Sequence, residues 1–211
     1  MEKLIAKYAE YAIYEAGRES IEALSKFIVE ENYRHHCLPQ IEFPSSAKTD
    51  VREVSEEEER LYTDSTKIYL ARNNQGHIIG SIRVFKWDRH SLLPLEKIYG
   101  INPLTAIHKE AQYDYWHVGR FAIDSFSGVS TFVLFKRLMA LAVRPIIQHK
   151  WSYMVAEIDS KLLRVMNVLG FVTKQLGTSV YYLTSETVPV CCDCEGLMGF
   201  YSRYGNLCFA V

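Results

Sequence analysis

The stretch from Tyr115 to Ile158 constrains this chain more than any other. Tyr115-Trp116-His117-Val118-Gly119-Arg120-Phe121-Ala122-Ile123 is β-rich, Asp124-Ser125-Phe126-Ser127-Gly128 is a polar turn, and residues 129–148 carry Phe132, Phe135, Leu138, Met139 and Ala142 along one helical face. The apolar run Tyr153–Ile158 reads as a second strand. Strand, helix and strand in that order make a parallel pair joined by a right-handed crossover. An isolated glycine in a strand marks a bulge or a close approach to the backbone, and Gly119 is such a residue. The first N–H groups of a helix lack intrahelical partners and suit an anion or a phosphate. Ser127, Gly128 and Val129 would offer them, with Ser125 before and Ser130 either a further donor or a polar residue of the first turn.

The rest of the chain adds elements on either side. Residues 2–36 carry helical spacing, with Leu4, Ile5, Tyr8, Tyr11 and Ala12 on one stripe and Ile21, Leu24, Phe27 and Ile28 on another, separated at Gly17. Two helices, or one helix kinked at Gly17, are predicted there. From Pro39 to about Asp64 the pattern fails, and the run Glu56-Glu57-Glu58-Glu59 reads as a solvated face in a long loop with at most a short polar helix. Residues 67–72 and 77–85 flank Asn73-Asn74-Gln75-Gly76, a hairpin signal. Pro94, Gly100 and Pro103 punctuate a segment of short helices. Lys161–Leu169 is a helix closed by Gly170, residues 171–173 and 180–183 read as two final strands, and the tail 188–211 has no assignable pattern. The class is α/β: a mixed sheet flanked by helices, in one domain of 211 residues.

Composition excludes several roles. A net charge of −1 gives no case for a nucleic-acid partner. No run approaches the ~18 apolar residues of a spanning helix, and the charged N-terminus lacks the apolar core of a signal peptide. A cytoplasmic protein is the expectation. Five cysteines (Cys37, Cys191, Cys192, Cys194, Cys208) are an odd number, against a fully paired secreted framework. Cys191-Cys192-Asp193-Cys194 lacks the second pair of a zinc site, so no metal is expected.

The order of elements resembles the GNAT acyltransferase fold. Gly80-Ser81-Ile82-Arg83-Val84 and His117-Val118-Gly119-Arg120-Phe121 resemble two strands of one branch, that of acyl-homoserine-lactone synthases and FeeM-like N-acyl amino acid synthases. Leu169-Gly170-Phe171 resembles a broader GNAT feature. The chain departs from the branch where His117 stands for a common glutamate and Gly119 for a common serine. The loop Ser125–Ser130 is a degenerate form of the acetyl-CoA loop, and the acid tyrosine of acetyltransferases would fall near Met166. The resemblance implies transfer of a fatty acyl group from a thioester, on an acyl carrier protein or CoA, to the amine of an amino acid or similar small acceptor. An acetyl-CoA-dependent acetyltransferase, a non-catalytic thioester-binding domain, and S-adenosylmethionine as acceptor are its alternatives.

That chemistry needs a base, because an α-amino group of pKa ~8 is mostly protonated at neutral pH. His117 is one candidate, with a hydrogen-bonded strand histidine as the plain alternative. Glu157, inside an apolar strand, is the second; its plain alternative is an ion pair with Arg83 or Arg120. N–H groups around Val118 and Gly119 would polarise the carbonyl. Arg83 would clamp an acceptor carboxylate, Phe121 would border the substrate, and Ser125, Ser127, Gly128, Val129 and Ser130 would seat the pantetheine arm. Arg120, on the strand face opposite His117 by alternation, would border the substrate if a bulge intervenes and otherwise anchor the fold. Lys136, Arg137, Arg144 and Lys150 would dock an acidic carrier protein or else form a solvated face. Trp87, Trp116, Tyr153, Tyr181 and Phe200 would line an acyl tunnel or simply fill the core.

Overall fold

In the computed structural model, which describes residues 2–36, 46–182 and 185–209, the chain opens with strands rather than the first predicted helix. β1 (Lys3–Lys7) and β2 (Tyr11–Ala16) pair antiparallel, and only α1 (Ile21–His36) is helical. Segments of five and six residues are too short for a 3.6-residue period to be told from a buried strand. Tyr11, Ala12 and Ile13 are all buried, as in a strand covered on both faces.

The predicted long loop is also corrected. Ser46–Leu61 is a four-turn helix, α2, whose inner face carries Ala47, Val54, Glu58 and Leu61. Its apolar stripe is real but sparse, and two buried acids, Glu57 and Glu58, hide it from a hydropathy reading. Residues 37–45, which include Cys37, Pro39 and Pro44, lie outside the described residues, as does Leu183.

The hairpin is present as β3 (Lys67–Asn73) and β4 (Ile78–Lys86), turning at Gly76 with φ +84°. The remaining elements are α3 (Pro94–Tyr99), α4 (Pro103–Ala106), β5 (Asp114–Ile123), α5 (Thr131–Ile146), β6 (Ser152–Asp159), α6 (Ser160–Val168), β7 (Lys174–Gln175), β8 (Val180–Tyr182), β9 (Ser185–Asp193) and α7 (Cys194–Tyr204). The strands are hydrogen-bonded in the order β1-β2-β3-β4-β5-β6-β9-β7, with β8 on β9. β5 and β6 run parallel, whereas β1–β2, β2–β3, β6–β9, β7–β9 and β8–β9 run antiparallel.

The chain divides into two compact units. The first comprises residues 1–83, 120–139 and 207–211. Its core joins Ala16, Ile21, Leu24, Ile28, Ile68 and Leu70. Gly80 is small for a reason: a Cβ there would stand 3.0 Å from Leu134 Cδ2 and 3.1 Å from Leu138 Cδ1.

The second unit comprises residues 84–119 and 140–206. Here β9 pairs with β6 from Tyr153↔Asp193 to Asp159↔Thr187. This long strand begins the tail that had no sequence assignment, because Pro189 and adjacent cysteines interrupt an ordinary β pattern. The strand predicted at residues 171–173 is not one. Phe171 instead stacks on Phe200 at 4.3 Å, and β7 starts only at Lys174. Gly170 ends α6 as expected, with φ +102° and its missing Cβ facing the Gly199 backbone at 3.1 Å.

Candidate active site

The parallel ladder between β5 and β6 covers Asp114↔Ser152, Tyr115↔Tyr153, Trp116↔Met154 and His117↔Val155, and stops there. Both strands continue, so past His117 the amides of β5 that point toward β6 have no rung of this ladder to make. Val118 and Gly119 are the first residues beyond that point.

A side-chain contact takes the place of the next rung. His117 Nε2 lies 3.0 Å from Glu157 Oε2 and 3.4 Å from Oε1. A carboxylate only accepts, so Nε2 carries the proton and donates. His117 is 1% exposed and Glu157 11%. The imidazole is thus the inner member, stacked on Phe85 at 5.4 Å, and the carboxylate is the member that faces outward. His117 is the one hydrogen-bonding partner of Glu157 among the described residues.

The same sheet face carries Thr187, which lies opposite Asp159 and therefore diagonal to Glu157. Tyr99, the last residue of α3, meets Thr187 through a hydrogen bond between the two hydroxyls. Burial, and the negative charge of Glu157, push the Tyr99 hydroxyl above its ordinary pKa despite that bond. Neither Tyr99 nor Thr187 carries a sequence signal; α3 is one and a half turns long, and β9 was not recognisable as a strand.

Four residues back along β6 from Glu157, a cavity of about 520 Å³ is lined by residues including Tyr153, Lys174, Cys191, Cys192, Asp193 and Glu195. Its charged rim does not resemble an alkyl tunnel. Of the other aromatics proposed for one, Tyr181 is 78% exposed, whereas Trp87 and Phe200 are buried. The thiols of Cys191 and Cys192 are pushed by burial up to about 11 and about 12. These neighbours in β9 point to opposite faces, and Cys192 Sγ donates to the Val172 carbonyl.

Arg83 and Arg120 do not pair with Glu157. Within the first unit they share the two buried acids of α2. Arg83 Nε and Nη2 each donate to Glu58 at 2.8 Å, Arg120 Nε donates to Glu58 Oε1 at 2.7 Å, and Arg120 Nη2 donates to Glu57 at 2.5 Å. Arg83 is 1% exposed, which places it in a buried ion network and not at an open acceptor clamp. Burial alone would raise the Glu58 pKa; the two guanidiniums outweigh it and hold it at about 2.

Arg120 also has φ +53°, a left-handed backbone within a strand. Its carbonyl accepts from Ser81 Oγ at 2.8 Å. The left-handed residue of β5 is thus Arg120, which the ion network holds, and not Gly119. Phe121 packs edge-on against Phe135 at 5.3 Å.

The loop before α5 also belongs to the first unit. Asp124 Oδ1 accepts from the Phe126 N–H at 2.9 Å, Ser127 Oγ donates to the Asp124 carbonyl at 2.7 Å, and Gly128 takes φ +77°. The first intrahelical bonds run from Val133 and Leu134 to the Ser130 carbonyl, so the N–H groups of Val129 and Ser130 precede them, as a helix N-terminus requires. Of the predicted docking cations, Arg137 lies 3.5 Å over the Tyr8 ring and donates to Tyr11, and Lys136 lies 4.0 Å over Phe132. Met166 is fully buried.

No family model matches the sequence, and no curated protein does. Solved structures do. FeeM, an N-acyl amino acid synthase from uncultured soil microbes, is 19% identical, with 88% of this chain and 91% of that one covered at a TM-score of 0.59. BjaI, a CoA-dependent acyl-homoserine lactone synthase with S-adenosylmethionine and isopentyl-CoA, is 15% identical over 89% and 81%, with a TM-score of 0.54. An acetyltransferase of the GNAT family from Staphylococcus aureus Mu50 is 15% identical over 87% and 99%, with a TM-score of 0.53. The mixed, mostly antiparallel sheet and its flanking helices are thus those of the GNAT fold.

Proposed function

We propose that this protein is an N-acyltransferase that moves a fatty acyl group from a thioester to the amine of an amino acid or similar small acceptor. The observation that carries the reading is the His117–Glu157 pair set where the β5–β6 ladder ends. Fold alone does not assign function, but this fold is shared with an N-acyl amino acid synthase and an acyl-homoserine lactone synthase.

The roles follow from exposure. The acceptor nitrogen attacks the thioester carbonyl carbon; a C–N bond forms, the C–S bond breaks, and the thiolate leaves. The acceptor arrives as an ammonium: one proton passes to the outward-facing carboxylate of Glu157 to free the attacking lone pair, and the second, made acidic by attack, goes to the departing thiolate. His117 orients that carboxylate through Nε2–H, behind it and out of solvent. This reverses the simplest sequence expectation, in which the histidine itself is the base. The N–H groups at Val118 and Gly119 stabilise the developing oxyanion. CoA and an acyl carrier protein present the same thioester, and either would serve as donor.

Organic extracts of bacteria expressing the protein test this reading by mass spectrometry. A long-chain N-acyl amino acid absent from cells expressing Glu157→Gln supports it and names the acceptor. An N-acetyl product would move the reading to acetyl transfer, and no new amide would favour a binding domain.

A further inference from the structure

A proton count around Tyr99 says what kind of group fits beside Glu157. Thr187 has one hydroxyl proton. It lies within hydrogen-bond range of the Val180 carbonyl at 3.1 Å, an atom that can only accept, so Thr187 donates there. The Tyr99–Thr187 bond then runs in one direction: Tyr99 donates and Thr187 accepts. Among the described residues Tyr99 has no other hydrogen-bond partner, so its oxygen keeps only lone pairs to offer. The neighbouring Glu157 carboxylate likewise only accepts, and its donor, His117, comes from the inner side. Two acceptor-only groups from different elements, α3 and β6, thus share one face of the sheet.

We infer that Tyr99 and Glu157 together bind a primary ammonium group through its N–H bonds, so that the acceptor is a primary amine recognised in its protonated form. This rests on the proposed function for its catalytic meaning, but the binding itself needs no turnover. The phenol suits a cation beside a carboxylate, because its raised pKa keeps it neutral and it adds no second charge. Tyr99 is then a binding residue for the acceptor, and Thr187 positions it by taking its proton.

The probes are n-butylammonium and butyltrimethylammonium, which carry the same charge with three N–H bonds and none. Ligand-observed NMR titration of the wild-type protein should show the primary ion bound about 10-fold more tightly, the scale of a hydrogen bond to a charged group. Tyr99→Phe should cut that preference several-fold. Thr187→Val, which frees the Tyr99 proton, should do the same, and it keeps the idea testable if Tyr99→Phe fails to fold. Equal binding of both ions, binding of neither, or a full preference in both variants would overturn the inference. A preference that Tyr99→Phe reduces, in a protein that makes no amide, would uphold this site while removing the acyltransferase reading.

Discussion

Replacing Glu58 by glutamine removes the charge at the centre of the buried network and keeps the shape. Glu58 is 3% exposed and accepts from Arg83 twice and from Arg120 once. Its pKa is held at about 2 against an ordinary 4.5. At about 1.4 kcal/mol per pH unit, that difference corresponds to roughly 3 kcal/mol of folding stability. The sign follows from the direction of the shift. A depressed carboxylate contributes fully above its unfolded value, near 4.5, and loses the contribution as pH falls toward 2. Linkage leaves less than half of it in place at pH 3. Glu58→Gln should therefore lower the urea-unfolding free energy at pH 7 by roughly 3 kcal/mol with an unchanged m-value, within the range for breaking a buried pair. The gap between variant and wild type should shrink by more than half at pH 3. A gap below about 1 kcal/mol at pH 7, or one that does not change with pH, would refute the reasoning.

Three further outcomes follow. Arg120→Gly and Arg120→Ala both lose the bonds to Glu57 and Glu58, but only glycine tolerates φ +53° freely; the glycine variant should be more stable by about 1 kcal/mol in the same unfolding assay. Gly199→Ala would put a Cβ 2.4 Å from the Gly170 carbonyl oxygen, a backbone atom that cannot rotate away, so thermal unfolding should show a loss of about 2 kcal/mol or more. Glu157→Gln and His117→Ala should each lower kcat by roughly 100-fold or more with little change in donor KM; the glutamine variant should be the more impaired if the carboxylate is the base.

The parts of the fold that were legible share a property: their patterns are local. The Asn73–Gly76 turn, the crossover from β5 through α5 to β6 and the Gly170 stop each declare themselves within a few residues. What was misread depends on distant partners. β2 is a strand because β3 offers it rungs, as β2 does for β1, and α2 is half-buried because Arg83 and Arg120 neutralise Glu57 and Glu58. The candidate site divides in the same way. His117 and Glu157 stood out as polar residues in apolar strands, but their pairing across 40 residues, and the service of the two arginines to α2 instead, required the fold. Tyr99 gave no signal at all, since only the register of β9 brings Thr187 beside Glu157.

The most direct measurement incubates the purified protein with long-chain acyl-CoA or acyl carrier protein and a mixture of amino acids, following free thiol and N-acyl product by mass spectrometry. The account predicts thiol release in step with one or a few N-acyl amines, nearly abolished in Glu157→Gln. No amide with any donor, or an equal rate in Glu157→Gln, would contradict it.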